Sequence, residues 1–113
     1  MVNNQSHNLD AVFHALSDPT RRAMVRQLAE RERTVSDLAS PYDMSLAAAS
    51  KHIRVLERAN LIERTVRGRT HICKLNPKGL SRVHNWLSYY ERFWTQKLDA
   101  LETLLAEEDN KKK

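Results

Sequence analysis

The segment from Thr34 to Leu75, TVSDLASPYDMSLAAASKHIRVLERANLIERTVRGRTHICKL, leaves little choice of local structure. Its opening allows one short helix, begun at Thr34, made apolar by Val35, Leu38 and Ala39, and ended by Pro41. Ser45 can cap a second helix, and Asn60 is a natural stop after Ala59. Within that helix the 3.6-residue period turns Ala49, Ile53 and Leu56 to one side. Leu46, Ala47, Ser50, Lys51 and Arg54 then lie on the other. Leu61 to Val66 and Thr70 to Leu75 are β-favouring runs on either side of Gly68, which predicts a hairpin tipped by Arg67-Gly68-Arg69. Asn76-Pro77-Lys78-Gly79 ends it.

The flanks are helical. Met1 to His7 is polar, without periodicity, and is expected to be a flexible start. Asn8 can cap a first helix carrying Leu9, Val12, Phe13 and Leu16. Ser17-Asp18-Pro19 breaks the chain, and a second helix follows to about Glu30, with Ala23, Met24, Leu28 and Ala29 on its apolar side. The last helix is expected over 79–106 and is apolar at Leu80, Val83, Trp86, Leu87, Tyr90, Phe93, Trp94, Leu98, Leu101, Leu104 and Leu105. A stripe sustained over about 27 residues is roughly 40 Å of helix, longer than a core built from the remaining chain is wide. Part of it is expected to be covered by another chain, which points to a dimer; the alternative is a long helix lying across its own core. The aromatic group on this helix could instead line a ligand pocket, but helical spacing favours core or interface. Residues 8–106 read as a single domain, and 107–113 as a charged, flexible tail. The fold class is mainly α with a small β-hairpin: about five helices and a two-stranded wing.

Charge locates the partner. The net charge is +5, yet residues 51–82 hold nine Lys or Arg against Glu57 and Glu63, a surplus of seven that exceeds the whole-chain excess. A basic helix beside a basic hairpin suits double-stranded DNA, because the major groove admits one helix whose side chains reach base edges. Ser50 and Lys51 have the chemistry to read bases, and small alanines allow close approach. Arg67 and Arg69, at a hairpin tip, suit phosphates or the minor groove. His52 has two readings: a phosphate contact, or a hydrogen bond that packs the helix. There is no nucleophile–base pair, glycine-rich phosphate loop or carboxylate pair, so an enzyme is not expected. No apolar run is as long as a membrane span or signal peptide, and lone Cys73 suits a reducing compartment; the expected location is the cytoplasm, with no membrane partner. Cys73 reads as a small buried hydrophobe rather than a redox switch.

Leu16-Ser17-Asp18-Pro19-Thr20-Arg21-Arg22, Ala49-Ser50-Lys51-His52-Ile53-Arg54-Val55-Leu56, Leu61-Ile62 and the Arg67-Gly68-Arg69 tip together resemble the ArsR-type winged helix-turn-helix repressors of bacteria. The resemblance covers residues 9 to about 80, and the long closing helix also fits. It implies a homodimer paired through first and last helices, which binds an imperfect palindrome near its own promoter and blocks transcription, with an unidentified effector. Carried over by position, the recognition-helix candidates are Ser45, Leu46, Ala47, Ser50, Lys51, His52 and Arg54; the wing candidates are Arg67 and Arg69. The expected dimer interface comprises Leu9, Val12, Phe13, Leu87, Tyr90, Trp94, Leu98, Leu101, Leu104 and Leu105.

One departure from that family bears on its chemistry. Metal-sensing members carry Cys-Val-Cys-Asp-Leu where this chain has Thr34-Val35-Ser36-Asp37-Leu38. Hydroxyls are poor ligands for soft metals, and His84 with Glu91 lacks the usual ligand spacing, so no metal and no cofactor are expected. A competing reading keeps the winged helix but docks its basic face on an acidic protein partner. Sequence discrimination among duplexes separates the two.

Overall fold

The computed structural model describes residues 4–111, which form five helices and three strands: α1 (Asn4–Leu16), α2 (Pro19–Glu30), β1 (Arg33–Thr34), α3 (Val35–Ala39), α4 (Leu46–Arg58), β2 (Ile62–Arg67), β3 (Thr70–Leu75) and α5 (Pro77–Lys111). The expected architecture, mainly helical with a β-hairpin, is the one observed. Two helices run past their expected boundaries. Helix α1 starts at Asn4, ahead of the expected cap at Asn8, and α5 continues through most of the expected tail to Lys111. The remainder of the expected loose ends, Met1–Asn3 and Lys112–Lys113, lies outside the described residues. The wing also gains a strand, since Arg33 and Thr34 pair antiparallel with Cys73 and Ile72 to give the order β1-β3-β2.

Internal contacts divide the chain into two units, one running through Val83 and the other from His84 onward. The core of the first is built from Val12, Ala15, Met24, Leu28, Leu38, Ala49, Ile53, Leu56, Leu61 and Cys73, each at most 3% exposed. On α2 the buried residues are Met24, Val25 and Leu28, whereas Ala29 is exposed, so that helix is turned slightly from the expected face. Val12 is wholly enclosed in this core. It was expected at the dimer interface; its methyls instead meet the chain's own interior and are unavailable to a partner.

Local chemistry sets the joints. Asp18 caps α2 by accepting from the Arg21 backbone N–H at 3.0 Å, and that bond holds its carboxyl below the usual carboxylate range. Helix α4 ends in a Schellman motif: Asn60 sits at φ 60°, its N–H donates to Glu57 O, and the Leu61 N–H donates to Leu56 O. Gly68 (φ 64°) starts a two-residue hairpin loop between the paired residues Arg67 and Thr70, the type II′ pattern that keeps the strands' twist.

Gly79 seats the first turn of α5 on the end of α4, its N–H donating to Asn60 O at 3.0 Å. A Cβ at this position would lie 2.8 Å from Asn60 O and 2.9 Å from both Ala59 O and Leu61 Cδ2, two of them backbone atoms that cannot swing away. Gly79→Ala is therefore expected to destabilise the fold by about 1–3 kcal/mol of overpacking, less up to about 1 kcal/mol gained in helix propensity. Thermal or urea unfolding reads the difference; an unchanged midpoint would mean that this turn shifts freely.

Candidate nucleic-acid interface

Helix α4 starts where Ser45, extended at φ −68° and ψ 156°, accepts the Ala48 N–H on its hydroxyl at 3.1 Å. That hydroxyl is a cap first, which limits what it can offer a base. Beyond it the two faces separate as the period requires. Ala49, Ile53 and Leu56 are buried; Ala47, Lys51, Arg54 and Arg58 are exposed, as is Leu46 at 58%. Ser50 is half-buried at the boundary. An exposed leucine in the first turn, next to Ala47, is apolar surface with no core to fill.

Helix α3 and the wing are fastened to this helix by polar ties. Thr34 closes β1 with its backbone and caps α3 with its side chain, accepting the Asp37 N–H at 3.1 Å. Arg64, near the base of β2, donates to Glu57 on α4 at 2.6 Å, with both side chains about three-quarters covered. Across the hairpin, Lys74 pairs with Glu63 at 3.5 Å in an exposed contact of small energetic weight.

These two pairs consume both acids of the basic segment. Among the described residues, the other seven cations of 51–82 (Lys51, Arg54, Arg58, Arg67, Arg69, Lys78 and Arg82) have no carboxylate within salt-bridge distance. The surplus seen in the sequence is thus a surplus of unpaired side chains, and Arg67 and Arg69 at the wing tip are exposed. Between α3, the start of α4 and the wing lies a cleft of about 540 Å³. Leu46 and Ser50 line it from α4, Thr34 and Ser36 from the α3 side, and Arg69 and His71 from β3 and its turn. Among the described residues, no carboxylate lines it. The cleft brings Leu46, Ser50 and Arg69, drawn from two elements of the expected site, to one concavity. Thr34, Ser36 and His71 join them, and only the position of Thr34-Val35-Ser36 beside the turn hinted at that.

His52 is placed otherwise. Its Nδ1 lies 3.3 Å from Arg21 Nη1 of α2. The same guanidinium donates through Nε to Ala15 O at 2.7 Å and through Nη2 to His14 O at 3.1 Å, while Arg22 Nη1 donates to Leu16 O at 2.7 Å. The Asp18-Pro19-Thr20-Arg21-Arg22 run is therefore a joint: its arginines satisfy the orphan carbonyls at the end of α1. Of the two readings of His52, the structure displays the packing hydrogen bond.

Cys73 is fully buried, and burial pushes its thiol up, which keeps it protonated and unreactive. Among the described residues no group of three or more His, Cys, Asp or Glu is placed to hold a metal ion, and no helix is long and apolar enough to cross a membrane.

From His84 to Lys111 every residue of α5 is exposed within the chain. Leu87, Tyr90, Trp94, Leu98, Leu101 and Leu105 recur at three- and four-residue steps with 46–68% of their surface open. A shallow groove of about 410 Å³ runs along this face between Leu87 and Leu98. Arg92 covers part of the neighbouring aromatic surface, its guanidinium 4.7 Å from the Phe93 ring centre and 5.4 Å from that of Tyr89.

The family model for a helix-turn-helix domain matches residues 16–65. The chain is 35% identical over 99 residues to the HTH-type transcriptional regulator Rv2034 of Mycobacterium tuberculosis, covering 88% of this chain and 90% of that protein. It is 32% identical over 79 residues to the transcriptional repressor SdpR of Bacillus subtilis, covering 70% of this chain and 88% of that protein. The crystal structure of an ArsR family transcriptional regulator superimposes with a TM-score of 0.75 at 36% identity, over 84% of this chain and 97% of that one.

Proposed function

Since the chain belongs to the ArsR-type family of winged helix-turn-helix transcriptional regulators, which bind DNA and are not enzymes, we propose that it is a homodimeric repressor reading an imperfect palindromic operator near its own promoter. The observation that carries this reading is the carboxylate-free cleft shared by α4 and the wing, where Arg69 has no carboxylate partner among the described residues and Arg64 is held by Glu57. Leu46 and Ala47 approach base methyls, and Ser50 and Lys51 reach base edges. Ser45 acts mainly through the cap, and Arg54 with the wing's Arg67 and Arg69 takes phosphates.

A second copy covers the open stripe of α5, and Leu9 and Phe13 of α1 also serve dimerisation. The apolar surface supports this, because contiguous exposed patches of that extent are rare on monomers and mark association sites. Two-fold pairing then presents two recognition helices to successive major-groove turns, which is why the operator is palindromic. SdpR is named a repressor, and that supports repression as the outcome of binding.

Selection of duplexes from a random-sequence library tests the reading. Two related half-sites about one helical turn apart are expected; recovery of no consensus would overturn it. On the selected duplex, Arg67→Ala and Arg69→Ala are each expected to weaken all duplexes alike and lower the slope of log affinity against log salt by about 0.9. Unchanged slopes would remove the wing from the contact.

A further inference from the structure

We propose that His52 is a positioning residue, through which Arg21 ties the recognition helix to the end of α1 only while the imidazole is neutral. The inference rests on the DNA-reading role above. The geometry is specific. A guanidinium has donors and no acceptor, so the 3.3 Å contact from Arg21 Nη1 requires a lone pair on His52 Nδ1 and places the ring's own proton on Nε2. Arg21 is already anchored by two bonds to α1 carbonyls, at 2.7 and 3.1 Å, so it is a fixed post rather than a mobile surface arginine. One side chain therefore joins α1, an expected dimer helix, to α4, the reading helix, across the start of α2.

Protonation of His52 removes the acceptor and sets an imidazolium against the guanidinium. The other charges near the ring are few. From α2 it faces Arg21 and Asp18, and the attraction to Asp18 offsets part of the repulsion, although that carboxylate is already engaged by Arg21. From α1 comes the chain end carrying His14. Along α4 Lys51 is adjacent, while the positions one turn away are Ala48, Ala49, Val55 and Leu56. The carboxylate carried by α3, Asp37, is exposed, and the charge that β2 brings to α4 is closed in the Arg64–Glu57 pair. Loss of the bond frees α4 to shift relative to α1. Site-specific contacts then weaken, whereas phosphate attraction is helped by the added positive charge. The ratio of specific to nonspecific affinity is therefore the quantity that falls with pH.

The test compares wild type, His52→Asn and His52→Ala on the selected duplex and on a scrambled duplex of the same length, from about pH 8 to about pH 5.5. Asparagine keeps an acceptor oxygen where Nδ1 stands but does not titrate. The wild-type ratio should fall about fivefold with acidification, the low end of inter-site couplings. His52→Asn should match the wild type at the upper pH and stay flat. His52→Ala should start about fivefold lower and also stay flat. In the free protein, ring ¹⁵N shifts should report neutral His52 as the Nε2–H tautomer. A wild type without sequence preference overturns the proposed function and this inference with it. Sequence preference with superimposable profiles for all three proteins, or an Nδ1–H tautomer, overturns this inference alone.

Discussion

Leu101→Glu combined with Leu104→Glu is expected to yield a folded monomer that has lost its operator. Both leucines are more than half exposed within the chain, at 52% and 62%, so the substitutions remove no core packing from residues up to Val83. In a dimer paired along α5, the same positions would bury four new carboxylates against apolar surface. An unpaired buried charge costs several kcal/mol, enough to reverse association. A monomer engages one half-site and forfeits the linkage of two, a loss of about 10²–10⁴ in affinity. Sedimentation should give a particle of one chain, 13.1 kDa, with the wild type at twice that mass. A variant monomer that grips the operator as tightly as the wild type would sink the dimeric reading, and so would a variant that keeps the double mass.

Lys51→Ala and Ser50→Ala are expected to act differently from changes at the wing. Each should relax the base preference at one operator position, at a cost of about 1–3 kcal/mol on the selected duplex and little on a scrambled one. The physical basis is position on the helix. Lys51 is exposed and has no carboxylate partner among the described residues, and Ser50 lines the cleft shared with Arg69. A repeat of the selection with each variant reads the outcome directly: one column of the consensus should flatten. Uniform weakening of every duplex would instead make Lys51 a phosphate contact, and an unaltered consensus would take both residues out of base reading.

The recognition helix was legible from its residues because everything that defines it is local. The Ser45 cap, the small-residue first turn, the burial of Ala49, Ile53 and Leu56 and the stop at Asn60 all depend on neighbours within one turn. The same is true of the Gly68 turn, where a positive φ is needed and only glycine adopts it without strain. The stripe on α5 was visible too, although its helix proved longer at both ends than 79–106: once a helix is nucleated, charged residues such as Glu107 and Glu108 extend it at little cost.

What eluded the residues was every feature made by segments far apart in the chain. Strand β1 is two residues long and has no strand pattern of its own; it exists because β3 offers a free edge about forty positions later. Val12 and Phe13 are adjacent and both apolar, and only the packing of α1 decided that Val12 belongs to the core while Phe13 stays 40% exposed. His52 stood next to Lys51 and looked like part of the same basic surface, until Arg21, 31 residues earlier, was found donating to its ring.

By itself, then, the sequence determined the helices and the hairpin, the buried face of the recognition helix, the turn chemistry and the concentration of positive charge on one segment, since these follow from short-range sterics, periodicity and composition. Tertiary structure alone decided which apolar side chains are used up inside, which cations are neutralised by Glu57 and Glu63, and which polar groups meet across α1, α2 and α4. The reason is that hydrogen bonds and ion pairs between distant segments depend on angstrom-level placement, and the spacing of residues along a chain carries no record of that.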